Sequence, residues 1–357
     1  MTRRAVIMAG GAGTRLWPLS RRERPKQLLR IVDGKSLLHE AFARLRLVFP
    51  PTDIYVIALA EHLPAIAEEL PTLPPGNLIG EPVGRDTANA IGLAAAILHA
   101  KSPDTVMGVF TADHVIRPAE RFADVIERGF AAAEQTPDAL VTFGVKPTEP
   151  HTGLGYVERG DPHAAGVWRV RTFKEKPDLA TARKYVDSGG FYWNSGMFVW
   201  RTAAILEQLR RHLPEAHAAL MKAGAGWGDE TGPRLASEVY PGLKKISIDF
   251  AVMEKAPNVL VVEMDLQWLD VGSWTSLAKV LGADAVGNTR ALRRAVTLSS
   301  QDNILVAEGD HLIATLGVKD LVVVHSPDAT LICHRDQVQR IRELVARLQR
   351  EYEQRYT

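Results

Sequence analysis

Cationic side chains beside a glycine loop mark the first place where this sequence can do chemistry. Residues 3–27 read RRAVIMAGGAGTRLWPLSRRERPKQ. An apolar run over 5–9 stops at Gly10-Gly11-Ala12-Gly13, three glycines in four residues. Such a loop lets the backbone take positive φ and come close to a ligand. Thr14 and Arg15 follow, and Lys26 comes after Pro25. Backbone N–H groups in a loop of this kind cradle phosphate, and Arg15 and Lys26 add a planar fork and a compact point charge. A glycine cluster alone is more often a turn. This one lacks G-x-G-x-x-G spacing and the G-K-[ST] end of a P-loop.

Carboxylates form the second set. Asp113 stands just past the run 109–111, at the carboxyl end of an expected parallel strand, where such sheets bind ligands. Asp270 lies in Trp268-Leu269-Asp270-Val271-Gly272-Ser273-Trp274. Far apart in sequence, the two can share one Mg²⁺ with substrate phosphates filling other positions. Either can equally cap a turn. Glu175-Lys176-Pro177 follows the run ending at Phe173, and by itself is a charged turn. Asn194 sits inside the apolar run 191–200, where a buried amide must find hydrogen bonds. His114, beside Asp113, is expected to be structural or to sit behind the site. The eleven histidines and the lone Cys333 show no zinc spacing, and there is no G-x-S-x-G nucleophile motif.

The elements that must position these residues alternate strand and helix. Strands are expected at 54–59, 77–80, 105–111 and 139–145, with helices at 37–48 and 88–101. Asp86 or Thr87 can cap the second helix. This alternation points to an α/β fold, a mainly parallel sheet with helices on both faces. Sheet segments around a turn are expected at 153–157 and 167–173, helices at 203–220 and 233–240, and a strand at 259–264. A loop over 266–272 leads to a helix that Ser273 caps. From about 283 short strands are expected at 304–307, 312–315, 321–325 and 329–332. Their spacing suggests a β-solenoid with imperfect coils or a small β-domain. A helix over 336–352 closes the chain, with Val338, Ile341, Leu344, Val345 and Leu348 on one face. That stripe needs a partner, either another subunit or the chain's own catalytic domain, which suggests a homodimer.

Composition bounds the reading. The 357 residues carry 46% hydrophobic and 24% charged side chains and a net charge of +1. No broad basic field argues for nucleic acid, so any anion site is local. One cysteine excludes a disulfide within the chain and suits a reducing cytoplasm. No signal-peptide pattern is present, and no apolar run approaches the ~20 residues that cross a bilayer, so no membrane partner is expected.

The pattern G-G-x-G-T-R-L-x-P, a short spacer and P-K closely resembles the signature of sugar-1-phosphate nucleotidylyltransferases. The W-P-L-S continuation and the P-K-Q ending resemble their mannose-1-phosphate guanylyltransferase branch. The resemblance covers residues 1 to about 282. It implies a Rossmann-like catalytic domain over 1–282 and, over 283–357, a small C-terminal β-domain of irregular left-handed β-helix type with a terminal helix. Longer relatives carry an isomerase domain, for which this chain is too short.

The implied reaction joins GTP and α-D-mannose 1-phosphate to give GDP-mannose and pyrophosphate, with Mg²⁺ as cofactor. The resemblance places Gly10, Gly11, Gly13, Thr14 and Arg15 on the nucleotide and makes Arg15 and Lys26 catalytic. Arg15 would hold the leaving pyrophosphate and Lys26 the α-phosphate. Asp113 and Asp270 match metal-binding acids. Glu175 matches a residue that contacts sugar hydroxyls, Lys176 one that reaches the sugar's phosphate, and Asn194 a sugar-contacting Asn. Gly155, in Gly155-Tyr156, matches a glycine whose backbone lies against the sugar. Residues 81–89, EPVGRDTAN, are similar to the family's base-pocket element E-P-x-x-R-N-T-A-P. They depart from it at Asp86 and Asn89. Glu81 or Asp86 can accept from guanine's N–H groups, or Asp86 caps the helix and backbone reads the base; Thr87 belongs to the same nucleotide set. A sugar phosphate is largely dianionic at neutral pH, its second pKa being about 6, so no general base is needed. Two other readings remain. One is a nucleotidylyltransferase for glucose 1-phosphate, dTTP or UTP. The other is a non-catalytic regulatory subunit.

Overall fold

A computed structural model describes every residue except Ala12, Val32, Asp33 and Gln354. Ala12 of the glycine loop therefore lies outside the described residues. The chain divides into two compact units. One holds Met1–Gly10, Phe42–Thr111 and Ile116–Trp268; the other holds Gly11–Ala41, Ala112–Val115 and Leu269–Thr357.

The first unit is built on a nine-stranded sheet in the order Leu78–Glu81, Ile54–Leu59, Thr2–Met8, Thr105–Thr111, Phe191–Arg201, Leu140–Val145, Val259–Met264, Val167–Lys174, Tyr156–Ala164. The first four are parallel neighbours, as their strand–helix alternation requires. The long strand Phe191–Arg201 is antiparallel to both of its flanking strands and makes the sheet mixed. Val259–Met264 runs parallel to Leu140–Val145. The hairpin Tyr156–Ala164/Val167–Lys174 forms the far edge.

Apolar runs explain the burial. Val56, Ile57, Val106, Val109, Val199 and Val261 are each at most 1% exposed. Full burial of such a side chain contributes about 1.5–3 kcal/mol. The helix Thr87–Lys101 is buried from Ala88 to Leu98. Its alanines allow a close neighbour, Pro214–Ala225, where a Cβ on Gly224 would stand 2.6 Å from Ala96 Cβ. Two expectations are corrected here. The single helix over 203–220 is two, Thr202–His212 and Pro214–Ala225, because Pro214 offers no N–H to continue the first and favours starting the second. The expected loop 266–272 contains a short strand, Gln267–Asp270.

The second unit stacks short parallel strands. Thr289–Ala291 pairs with Ile304–Ala307, which pairs with Leu321–Ser326; Ala329–His334 then returns antiparallel. Arg294–Leu298 and Leu312–Leu316 form a second parallel pair. Thr289–Ala291 and Arg294–Leu298 were not expected, being short and each carrying an arginine. A ladder of buried amides ties successive coils. Asn303 donates from its side chain and backbone to Asn288 Oδ1 at 3.0 and 2.9 Å, and its own Oδ1 accepts from Leu321 N–H at 2.9 Å.

The terminal helix is a 3₁₀ segment, Arg335–Arg340, followed by Ile341–Tyr352. Val338, Ile341 and Val345 are buried in one cluster with Leu16, Trp17, Trp274, Leu277 and Val322. Leu344 is 39% exposed and leaves the expected stripe. The stripe is thus covered within its own unit, by Leu16, Trp17, Trp274 and Leu277 of the same chain. No helix among the described residues is long and apolar enough to cross a membrane.

Candidate active site

The glycine loop, both expected catalytic cations and both expected metal-binding acids belong to the second unit, apart from Gly10, which ends a segment of the first. Gly11 and Gly13 take φ of +99° and +58°. At Gly13 a Cβ would lie 2.6 Å from Lys26 Cβ and 2.8 Å from Ser20 Oγ, so glycine is required for Lys26 to pass. Thr14 opens the 3₁₀ turn Thr14–Leu16 that carries Arg15.

Lys26 donates to Asp113 Oδ2. Burial works against its ammonium, but Asp113 and Asp270 outweigh it and raise its pKa. Burial likewise opposes the Asp113 carboxylate, yet Lys26, then His114, hold it down at about 2. Val271 N–H donates to Asp113 O at 3.1 Å and so fixes Asp270 beside Asp113. Ligand atoms of Asp113, His114 and Asp270 all lie within 4.8 Å of one another. Two carboxylates with one ammonium already against them suit a hard divalent cation that keeps other positions for phosphate oxygens. His114 is buried, its Nε2 3.9 Å from Asp113 Oδ1. A Cβ at Gly272 would stand 3.3 Å from Arg15 Nη2 and 3.5 Å from Asp270 Oδ2, which puts this guanidinium near the acids. Arg15 also donates to Gln339 Oε1 at 2.9 Å, a tail contact that no sequence motif announced.

In the first unit Gly155, Glu175, Lys176 and Asn194 come together. A Cβ on Gly155 would clash with Glu175 Oε2 and stand 3.3 Å from Asn194 Cβ. Lys176, at φ +45°, donates to Glu175 Oε1. Burial lowers the Lys176 pKa, but Glu175, Asp249 and Asp86 raise it overall. The Asn194 amide is oriented by Gly196 N–H, which donates to Oδ1 at 3.3 Å, and by the Thr142 hydroxyl at 2.9 Å. Its Nδ2 therefore donates to Asp249 Oδ1, at 2.9 Å. Sequence reasoning missed Asp249; the polar residue at the head of the buried run 251–253 was its only signal.

The 81–89 element is also in this unit. Asp86 caps the helix Thr87–Lys101, its Oδ1 accepting from Thr87 N–H at 2.8 Å, at φ +68°. Thr87 Oγ1 accepts from Ile248 N–H at 2.9 Å. Asn89, the second departure from the family pattern, donates to Arg85 O and Lys244 O. Arg85 donates to Tyr240 O at 3.0 Å. Glu81 is buried, and its Oε1 has no hydrogen-bond partner among the described residues. Burial pushes its carboxyl up to about 7, with Tyr240 pulling down and Asp86 adding to the rise.

Residues 4–287 match the family model described as nucleotidyl transferase, and residues 293–348 match the MannoseP isomerase/GMP-like beta-helix domain. The xanthan biosynthesis protein XanB of Xanthomonas campestris pv. campestris is 42% identical, over 96% of this chain and 72% of its own length. A mannose-1-phosphate guanylyltransferase of Escherichia coli strain K12 is 40% identical, over 96% of this chain and 73% of its own. The solved structure described as mannose-1-phosphate geranyltransferase from Thermus thermophilus superposes with a TM-score of 0.87 at 37% identity, covering 98% of this chain and all of that one.

Proposed function

Because this chain belongs to the nucleotidyl transferase family, we propose that it transfers GMP from GTP to α-D-mannose 1-phosphate, releasing pyrophosphate and GDP-mannose. The observation that carries this reading is the Arg15, Lys26, Asp113 and Asp270 cluster beside the glycine loop.

A phosphate oxygen of the sugar phosphate attacks the α-phosphorus. The bond from that phosphorus to the β-phosphate's bridging oxygen breaks, and pyrophosphate leaves. The nucleophile arrives deprotonated, so the protein's task is to position two polyanions and meet developing negative charge. Gly10, Gly11, Gly13 and Thr14 offer backbone to the triphosphate. Arg15 holds the leaving pyrophosphate, and Lys26 meets charge at the α-phosphate. A divalent cation, with Mg²⁺ as our choice, would be held by Asp113 and Asp270 and would supply positive charge to phosphate oxygens. Lys176 binds the attacking phosphate, while Glu175, Asn194 and the Gly155 backbone bind the sugar. Thr87 and Glu81 line the base side, and the unpartnered Glu81 oxygen is our candidate to accept from guanine. Asp86 acts there through the helix cap it makes.

We assign catalysis to 1–282 and a supporting role to 283–357, since Gln339 of that tail bonds to Arg15. Reactants that are charged phosphates suit the cytoplasm. The test is a panel of GTP, ATP, UTP and dTTP against mannose 1-phosphate and glucose 1-phosphate. GTP with mannose 1-phosphate should give the highest kcat/KM, by ~10-fold or more. A different best pair overturns the assignment.

A further inference from the structure

We infer that Asp249 is a further substrate-contacting residue, which with Glu175 and Asn194 recognises a hydroxyl of the sugar phosphate. This rests on the function proposed above and deepens it, because none of the sequence motifs that point to the site includes that carboxyl.

The argument begins with the amide of Asn194. Its Oδ1 faces Gly196 N–H and the Thr142 hydroxyl, which also reaches Met197 O at 3.1 Å, so its Nδ2 donors are the side turned to Asp249. One of them goes to Asp249 Oδ1 at 2.9 Å. An amide N–H next to a carboxyl oxygen is the complement of a sugar hydroxyl, which accepts and donates at once. Asp249 as a residue is half-buried, beside the partly exposed Lys176. Glu175 lies close enough to repel it. Burial and then Glu175 push Asp249 up to about 7, with Lys176 and Asn194 pulling the other way. Crowding two acids costs stability unless something uses them, and a sugar bearing several hydroxyls supplies the missing donors. Lys176, its side chain 55% exposed, adds the cation that a phosphate on the same sugar requires.

The residue is also held in place. It opens a π-helical turn, Asp249–Met253, and such turns cluster at functional sites. Just before it, Ile248 N–H donates to Thr87 Oγ1 at 2.9 Å and Ile246 O accepts from Ala88 N–H at 3.2 Å. Asp249 is thus positioned by the segment expected on the nucleotide.

The test compares wild type and Asp249→Asn with mannose 1-phosphate and its monodeoxy analogues. Asparagine keeps the acceptor for Asn194 but loses the charge and half of the acceptor capacity. In wild type, one deoxy position should lower kcat/KM by ~10-fold or more. In Asp249→Asn that penalty should vanish, KM for mannose 1-phosphate should rise ~10-fold, and KM for GTP should move by less than ~2-fold. A penalty that survives unchanged, or an equal loss for every analogue, overturns the inference and leaves the proposed function standing. A variant that no longer folds marks Asp249 as structural and overturns it as well. Wild-type protein that makes no GDP-mannose overturns the function and this inference together.

Discussion

Glu81 supplies the prediction whose size follows most directly from the structure. This residue ends the strand Leu78–Glu81, is 6% exposed and has a carboxyl oxygen without a partner among the described residues. Burial raises it from 4.5 to about 7. A rise of that size separates the two protonation states by about 3 kcal/mol. In the folded chain the group therefore holds its proton to higher pH than in the unfolded chain. The stability it contributes is complete below about pH 4.5 and is lost as pH rises through 7. Glu81→Gln imitates the protonated side chain and should remove this part of the pH dependence. Ligand-free wild type and variant should have similar unfolding free energies at about pH 5, and the variant should be more stable by ~2–3 kcal/mol at about pH 8. Urea denaturation at both pH values, followed by tryptophan fluorescence, measures the difference. Parallel pH profiles for the two proteins would refute the reasoning. The same variant should also weaken GTP binding, since an amide offers guanine one acceptor fewer.

Lys26→Ala or Asp113→Ala should leave the circular dichroism spectrum intact and lower kcat by at least ~100-fold, the scale for losing one preorganised charge. A rate near wild type would remove that residue from the mechanism. Gly13→Ala adds a Cβ at positive φ against Lys26 and should cost ~1–3 kcal/mol in thermal unfolding together with a loss of kcat; wild-type values in both would show that the loop adapts freely. Asn303→Ala removes the acceptor for Leu321 N–H and leaves buried backbone unpaired, so unfolding of the second unit should be easier by ~2–4 kcal/mol. A change under ~0.5 kcal/mol would mean that the amide ladder is not what holds the coils.

Long apolar runs were the most legible part of the chain. The strands Ile54–Leu59, Thr105–Thr111, Val259–Met264 and Ile304–Ala307 stand at their expected bounds, because largely apolar runs between turn residues leave little choice. Ser273 caps Trp274–Leu281 with a reciprocal Ser276 bond, a signal local enough to read from sequence. What could not be read was set by distant partners. Pro214 divides a helix whose apolar periodicity continues through it. The strand Gln267–Asp270 is too short for a periodic signal. Leu344 belongs to the sequence stripe but points to solvent, while its stripe neighbours Val338, Ile341 and Val345 cover the cluster around Trp17 and Trp274. In the site, Arg15, Lys26, Asp113 and Asp270 stood out as charges at loop ends. Asp249 and Gln339 did not, because each matters through a contact made 55 residues or more away.

The most direct test of the central claim is the stoichiometry of wild-type protein given GTP, mannose 1-phosphate and Mg²⁺. One pyrophosphate should appear for each GDP-mannose formed, and neither should form when the sugar phosphate or the metal ion is withheld. Pyrophosphate or phosphate release from GTP alone, or no release with all three present, would contradict the account.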